Sequence, residues 1–283
     1  MNFNYNEAFK RNIGLLTEEE QQKVSQRTIA IAGMGAVGEA HAIALVRQGF
    51  QHFKIADFDV FELKNFNRQY GAKMANLGRE KVEVMREEML AINPECQVEL
   101  FKEGITDQNL ETFLTGVDLT VDGIDAFEVE VRRKLFNASL ERNIPVITAG
   151  PIGFGTAFLI FLPGGPNFDQ YFAVTDTMGT TKKLFSFFVG LAPALLQRSY
   201  MKKVNIEEKR GPSSIGSVDL CAGVVAIYAL KVLLKKGDIK AVPYYHQFDV
   251  MQNKYVLKRL WFGNNNPLQK IKIAFAQMLI KDN

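Results

Sequence analysis

The chain has 283 residues, 47% hydrophobic and 23% charged, with a formal net charge of +3. That composition supports a packed core and excludes a disordered chain. Its two cysteines, Cys96 and Cys221, supply neither a disulfide framework nor a zinc site, and the cations are interleaved with acids, as in KKVNIEEKR, so nothing points to nucleic acid.

The opening MNFNYNEAFKRNIGLL lacks the long apolar core of a signal peptide, and residues 1–26 are expected as a helical arm. RTIAIAG (27–33) is a β-branched apolar run ending in glycine, the profile of a buried parallel strand. AVGEAHAIALVRQGF follows with helical spacing, and HFKIADFD reads as the second strand. LGREKVEVMREEMLAINP (77–94) is a charged amphipathic helix stopped at Asn93-Pro94. QVELFKEGI, VDLTVDGID and IPVITAG are further strands, alternating with the helices DQNLETFLTG and FEVEVRRKLFNASLERN. The alternation predicts an α/β fold, doubly wound and Rossmann-like, with a mostly parallel sheet.

After Gly150 the pattern changes. GFGTAFLIFLPGG reads as a strand, which sets the limits of a nucleotide-binding core at 27–163. Residues 164–217 read as an irregular crossover loop rich in Gly, Pro, Thr and aromatics, the expected seat of substrate specificity. Residues 218–262 supply an apolar helix and a late antiparallel hairpin, YYHQFDV and KYVLKRLWF, that complete the same domain. The tail, 263–283, reads as a helix with Leu268, Ile271, Phe275 and Leu279 on one face. The apolar run 184–196 contains Ser186 and Pro193 and falls short of a membrane span, so a cytoplasmic protein with no membrane association is expected.

Gly33, Gly35 and Gly38 form G-x-G-x-x-G between a predicted strand and helix, where glycines permit a tight turn and close approach of phosphate to backbone N–H groups. Asp57 ends the next strand, placed to accept hydrogen bonds from ribose hydroxyls. A dinucleotide-binding dehydrogenase accounts for these four residues but not for Asn65, Arg68, Lys81 and Asp125, which bring two cations, an amide and a carboxylate toward the same sheet edge. Cations there offset charge developing on phosphoryl oxygens, and a carboxylate holds magnesium. Asp59 either joins the site or caps the turn after the strand.

The motifs AGMGAVG, DFDVFELKNFNRQ, LGREKVEVMREEMLAINP and VDGID, taken together, resemble the ThiF/MoeB/HesA and ubiquitin-activating enzyme superfamily. The resemblance implies ATP and magnesium as cofactors and adenylation of a carboxylate with release of pyrophosphate. It implies that Asp57 binds ribose, that Asn65, Arg68 and Lys81 contact the ATP phosphates, and that Asp125 binds magnesium. It also implies a homodimer in which Arg11, in FKRNIGLL, reaches the neighbouring subunit's site. The acceptor it implies is the C-terminus of a ubiquitin-like protein or a small-molecule carboxylate.

The chain departs from the family pattern in three places. Ala126 stands where the family has asparagine after the magnesium acid, and the next arginines, Arg132 and Arg133, come later than usual. The paired C-x-x-C zinc motifs are missing, so no zinc is expected. The crossover region has no cysteine, which leaves Cys221, at the start of the apolar helix, as candidate nucleophile or packing residue. Two alternatives stay open: an NAD-dependent oxidoreductase, and a non-catalytic nucleotide-bound partner of an activating enzyme.

Overall fold

A computed structural model describes residues 2–201 and 211–281. The chain divides into two compact units, Met1–Ile124 with Ala222–Ile239, and Asp125–Cys221 with Lys240–Asn283.

The first unit opens on α1 (Tyr5–Phe9) and α2 (Glu18–Ser25). In α2 a capping box between Thr17 and Glu20 satisfies the first backbone donors. β1 (Thr28–Ala32) is buried from Ile29 onward, and α3 (Ala36–Gln48) follows it. Gly49 ends α3 at φ 100°, a left-handed turn that glycine adopts without a Cβ penalty. β2 (His52–Ala56), α4 (Lys81–Ile92), β3 (Gln97–Phe101), α5 (Leu110–Leu114) and β4 (Leu119–Asp122) complete the βα alternation.

The strand order in this unit is β3-β2-β1-β4, all pairs parallel. Ala32 of β1 is in register with Ala56 of β2 and Asp122 of β4. Parallel register therefore brings three strand ends to one edge, and the next residues, Gly33, Asp57 and Gly123, share it. β1 is a continuous apolar run from Ile29, and all four residues of β4 are buried, because a parallel sheet is covered on both faces. Each fully buried Ile or Leu there contributes about 1.5–3 kcal/mol.

The second unit holds α6 (Val129–Glu141), β5 (Val146–Ile152), β6 (Gly155–Phe161), α7 (Phe168–Phe172) and α8 (Thr180–Leu191). α9 (Ile215–Leu233) has its first residues in this unit and the rest in the first. β7 (Tyr244–Asp249), β8 (Lys254–Arg259) and α10 (Pro267–Lys281) follow. Strands β5 to β8 pair in chain order, each antiparallel to the next. Phe136, Phe161, Phe168, Tyr171, Phe172 and Phe187 form the buried core. The fold class is thus α/β, Rossmann-like in its parallel part, with antiparallel C-terminal strands.

The antiparallel part begins at the β5–β6 hairpin, through Gly153 at φ 61°, earlier than the late hairpin the sequence suggested. The crossover stretch is also less irregular than its composition implies. Asn167 and Gln170 form a capping box that starts α7, and LFSFFVGL in α8 buries Leu184, Phe185, Phe187, Val189 and Leu191. Glycine, proline and threonine at the boundaries masked that helical period. Residues 202–210 of the crossover stretch, and the side chain of Leu279, lie outside the described residues.

Among the described helices, α9, and not the apolar run 184–196, is long and apolar enough to cross a membrane. Its Val218, Cys221, Ala222, Val225, Ala226 and Ala229 are buried at helical spacing, as in a core helix.

Candidate functional site

The three glycines differ in what they do. At Gly33, φ is 90° and a Cβ would lie 2.2 Å from the carbonyl oxygen of Gly123. A Cβ on Gly38 would lie 1.8 Å from the carbonyl oxygen of Gly33. Both positions are closed to side chains by the protein's own backbone, which packs the β1–α3 turn against the end of β4. A Cβ on Gly35 would meet nothing within 4 Å. Gly35 is also the N-cap of α3, so open space adjoins a helix N-terminus whose first N–H groups have no intrahelical partner. The local geometry therefore fits a phosphate group.

Asp57 stands at the edge of this turn. Its Oδ2 accepts the Met34 N–H at 2.6 Å and its Oδ1 accepts the Asp59 N–H at 2.8 Å. Burial raises its carboxyl above the usual range, and the Lys81 charge opposes that rise. Each oxygen keeps a further lone pair for a ribose hydroxyl.

Lys81, the first residue of α4, is buried, and its Nζ lies 3.0 Å from Asp59 Oδ2. Its backbone N–H donates to the Asp59 carbonyl at 3.0 Å, so the pair is fixed at both ends. Asp59 thus anchors the lysine as well as ending its turn.

Asn65 is buried in the turn Leu63–Asn65, and its Oδ1 accepts the Glu62 N–H at 2.8 Å. Arg68 is half-buried and donates to the Lys64 carbonyl at 2.9 Å and to Asn67 Oδ1 at 2.8 Å. The loop therefore holds its own cation in place. Arg11 is exposed on the turn Lys10–Asn12.

Asp125 begins the second unit and is exposed. Its Oδ1 accepts the Phe127 N–H at 2.9 Å, which closes a turn ahead of α6 without capping it, since the N-cap of α6 is Glu128. Its carbonyl accepts Arg132 Nη2 at 3.1 Å, and the buried Arg132 guanidinium stacks on Phe187 at 4.3 Å. Arg132 thereby holds the Asp125 turn. Among the described residues no group of three or more His, Cys, Asp or Glu could hold a metal ion. A magnesium with one protein carboxylate is the usual case for an ion held mainly by nucleotide phosphates and water.

Cys221 is fully buried, its Sγ 3.1 Å from Thr156 Oγ1, and burial pushes its thiol up to about 12. Cys96 is buried as well, its thiol also pushed up to about 12.

Sequence reasoning missed Glu39. It lies on α3, fully buried, and its Oε2 accepts the Gly71 N–H at 2.7 Å. Burial pushes its carboxyl up to about 8, against the pull of the Gly71 N–H and of Lys81. The available signal was two ionisable residues, Glu39 and His41, inside the apolar helix AVGEAHAIALV.

A model of the ThiF family matches residues 9–270. The tRNA threonylcarbamoyladenosine dehydratase of Bacillus subtilis (strain 168) is 29% identical over 249 residues, covering 83% of this chain and 97% of that protein. The sulfur carrier protein ThiS adenylyltransferase of Escherichia coli (strain K12) is 27% identical over 143 residues, 50% of this chain and 56% of that protein. Among solved structures, PaaA superposes with a TM-score of 0.69 at 20% identity, covering 92% of this chain and 74% of that chain. The E. coli tRNA N6-threonylcarbamoyladenosine dehydratase in complex with AMP gives 0.61 at 24%, covering 81% and 95%. At these identities the structural likeness shows the fold.

Proposed function

The chain belongs to the ThiF family, and from that premise we propose that it transfers AMP from ATP to a carboxylate. An acceptor carboxylate oxygen bonds to the α-phosphorus of ATP. The bond from that phosphorus to the oxygen bridging the β-phosphate breaks, and its electron pair leaves with pyrophosphate. Because the carboxylate attacks in its ionised form, no general base is needed.

The observation that carries this reading is the buried, aspartate-anchored Lys81, in the same unit as a glycine turn with open space at Gly35. Hydride transfer has no use for such a cation, whereas charge developing on phosphoryl oxygens does. In this proposal Asp57 binds the ribose, and Asn65, Arg68 and Lys81 contact the phosphates. Asp125 holds magnesium, which neutralises phosphate charge when bound. Cys221 is given no role, since a buried thiol held far above neutral pH is a poor nucleophile. Arg11 serves the partner's site in a homodimer.

For the acceptor, the family similarity supports a ubiquitin-like C-terminus or a small-molecule carboxylate. The match across 97% of the Bacillus subtilis dehydratase adds a threonyl carboxylate carried on tRNA.

The test compares thermal stability with ATP–magnesium and with NAD, on wild type and Asp125→Ala. At a hundred times its Kd, ATP–magnesium should add about 2.7 kcal/mol to wild type, and Asp125→Ala should lose most of that gain. Stabilisation by NAD and none by ATP would overturn the proposal in favour of an oxidoreductase.

A further inference from the structure

Gly71 is gripped on three sides. Its N–H donates to Glu39 Oε2 at 2.7 Å, and its carbonyl accepts Asn76 Nδ2 at 2.8 Å. A Cβ at this position would lie 2.3 Å from the Phe61 ring, which packs with Ala72 and Val84. The clamp sits within the loop that carries Asn65 and Arg68 and that leads to Lys81. Glu39 joins this loop to α3, the helix whose N-terminus opens on Gly35.

Glu39 has a second distinctive feature. Its Oε1 is buried with no hydrogen-bond partner, so an ionised carboxylate here would leave one oxygen without a donor. The groups that face the carboxyl are few: the N–H groups of Gly71 and Tyr70 from the loop, Lys81 from α4, and Asp57 from the end of β2. Lys81 is the only cation among them, and it is shared with Asp59.

We propose that Glu39 is a proton-linked positioning residue for the nucleotide, taking up one proton from solvent as the nucleotide's phosphates engage Lys81. This rests on the nucleotide reading of the site. An arriving phosphate adds negative charge near the carboxyl and draws on the one cation that favours its ionised form. Both effects favour neutral Glu39, whose carbonyl oxygen still accepts the Gly71 N–H, so the loop stays clamped. Burial already pushes the carboxyl up to about 8 in the free protein, so the linkage acts at and above that pH.

The sign follows from that order. Below about pH 8 the residue is already neutral and affinity is flat. Above it, each nucleotide bound must bring a proton, and affinity falls by about tenfold per pH unit until the bound state also ionises. ATP with magnesium has no ionisation of its own in that interval.

The experiment is calorimetric titration of the full chain with ATP–magnesium from pH 7 to 9.5, in two buffers of different ionisation enthalpy. Wild type should take up close to one proton at pH 8.5–9, with affinity falling about tenfold per unit. Glu39→Gln, which keeps a carbonyl acceptor for Gly71 but cannot titrate, should bind with an affinity that varies less than about twofold with pH. Glu39→Met, similar in size and apolar, is the second variant if the glutamine form does not fold, and should show the same flat profile. Wild-type binding without proton uptake, or equal uptake by either variant, overturns the inference while leaving nucleotide binding intact. Absence of ATP binding at every pH sinks the underlying reading instead.

Discussion

The Nζ of Lys81 lies 3.0 Å from Asp59 Oδ2, with the lysine side chain 6% exposed and that of the aspartate 54% exposed. The asymmetry decides what each substitution costs. Lys81→Met leaves a solvated aspartate and removes only the buried charge, so the fold should hold, with a melting temperature within a few degrees of wild type. Adenylate formation, followed as pyrophosphate release, should fall by about 10²–10³. Asp59→Ala removes the anchor from a buried cation and should cost about 1–3 kcal/mol of stability. Urea denaturation separates the two, and a larger stability loss for Lys81→Met would contradict the asymmetry.

The glycines give a second test. Gly33→Ala places a Cβ against the Gly123 carbonyl at a φ of 90° and should destabilise by several kcal/mol or prevent folding. Gly35→Ala meets open space and should fold with near wild-type stability while losing nucleotide affinity, because its methyl occupies the phosphate approach. Circular dichroism melts with and without ATP–magnesium read both. Full retention of ATP affinity in Gly35→Ala would show that phosphate does not come there.

His41 is fully buried on α3, and neither ring nitrogen has a hydrogen-bond partner. Burial lowers it from the usual value to about 3. The unfolded chain binds a proton near pH 6.5 that the folded chain refuses, so stability is lost as pH falls below about 6.5. His41→Leu should match or exceed wild-type stability at pH 7 and gain further at pH 5. Parallel melts of the two proteins at both values check this, and a constant difference would rule it out.

Arg11 is exposed on the N-terminal arm, as a residue serving another subunit would be. In a homodimer, Arg11→Ala and Arg68→Ala should each lose activity. Mixing the two under subunit exchange should restore about a quarter of wild-type activity, since half the dimers are mixed and each keeps one intact site. No recovery with mixed dimers confirmed by mass would mean Arg11 acts in its own subunit or not at all.

Thiol chemistry gives the fifth test. With both cysteines buried and pushed up to about 12, iodoacetamide at pH 8 should leave the native protein unlabelled and modify both thiols once it is denatured. Cys221→Ala should lower stability by about 1–3 kcal/mol, because it opens a cavity and deprives Thr156 Oγ1 of its partner, while adenylation persists. Rapid labelling of native Cys221 would reopen its candidacy as a nucleophile.

The local rules were legible in the sequence. The apolar run of β1, the buried strand β4, the glycine turn, Asp57 at a strand end and the helix from Lys81 all follow from periodicity and from residues with few alternative conformations. Parallel register then brings Gly33, Asp57 and Gly123 to one edge without further information. What the sequence hid depends on groups distant along the chain. Glu39 reads as an ordinary helical acid until the fold places the Gly71 N–H against it, thirty-two positions away. Lys81 reads as a cation for the phosphates, but its burial and its Asp59 anchor appear only when the turn from Asp57 folds back over it. Cys221 reads as either a nucleophile or a packing residue until the fold buries it beside Thr156. Burial of a charge or thiol is set by everything packed around it, so residue type and spacing determined the framework, and only tertiary packing decided which polar groups lost their water.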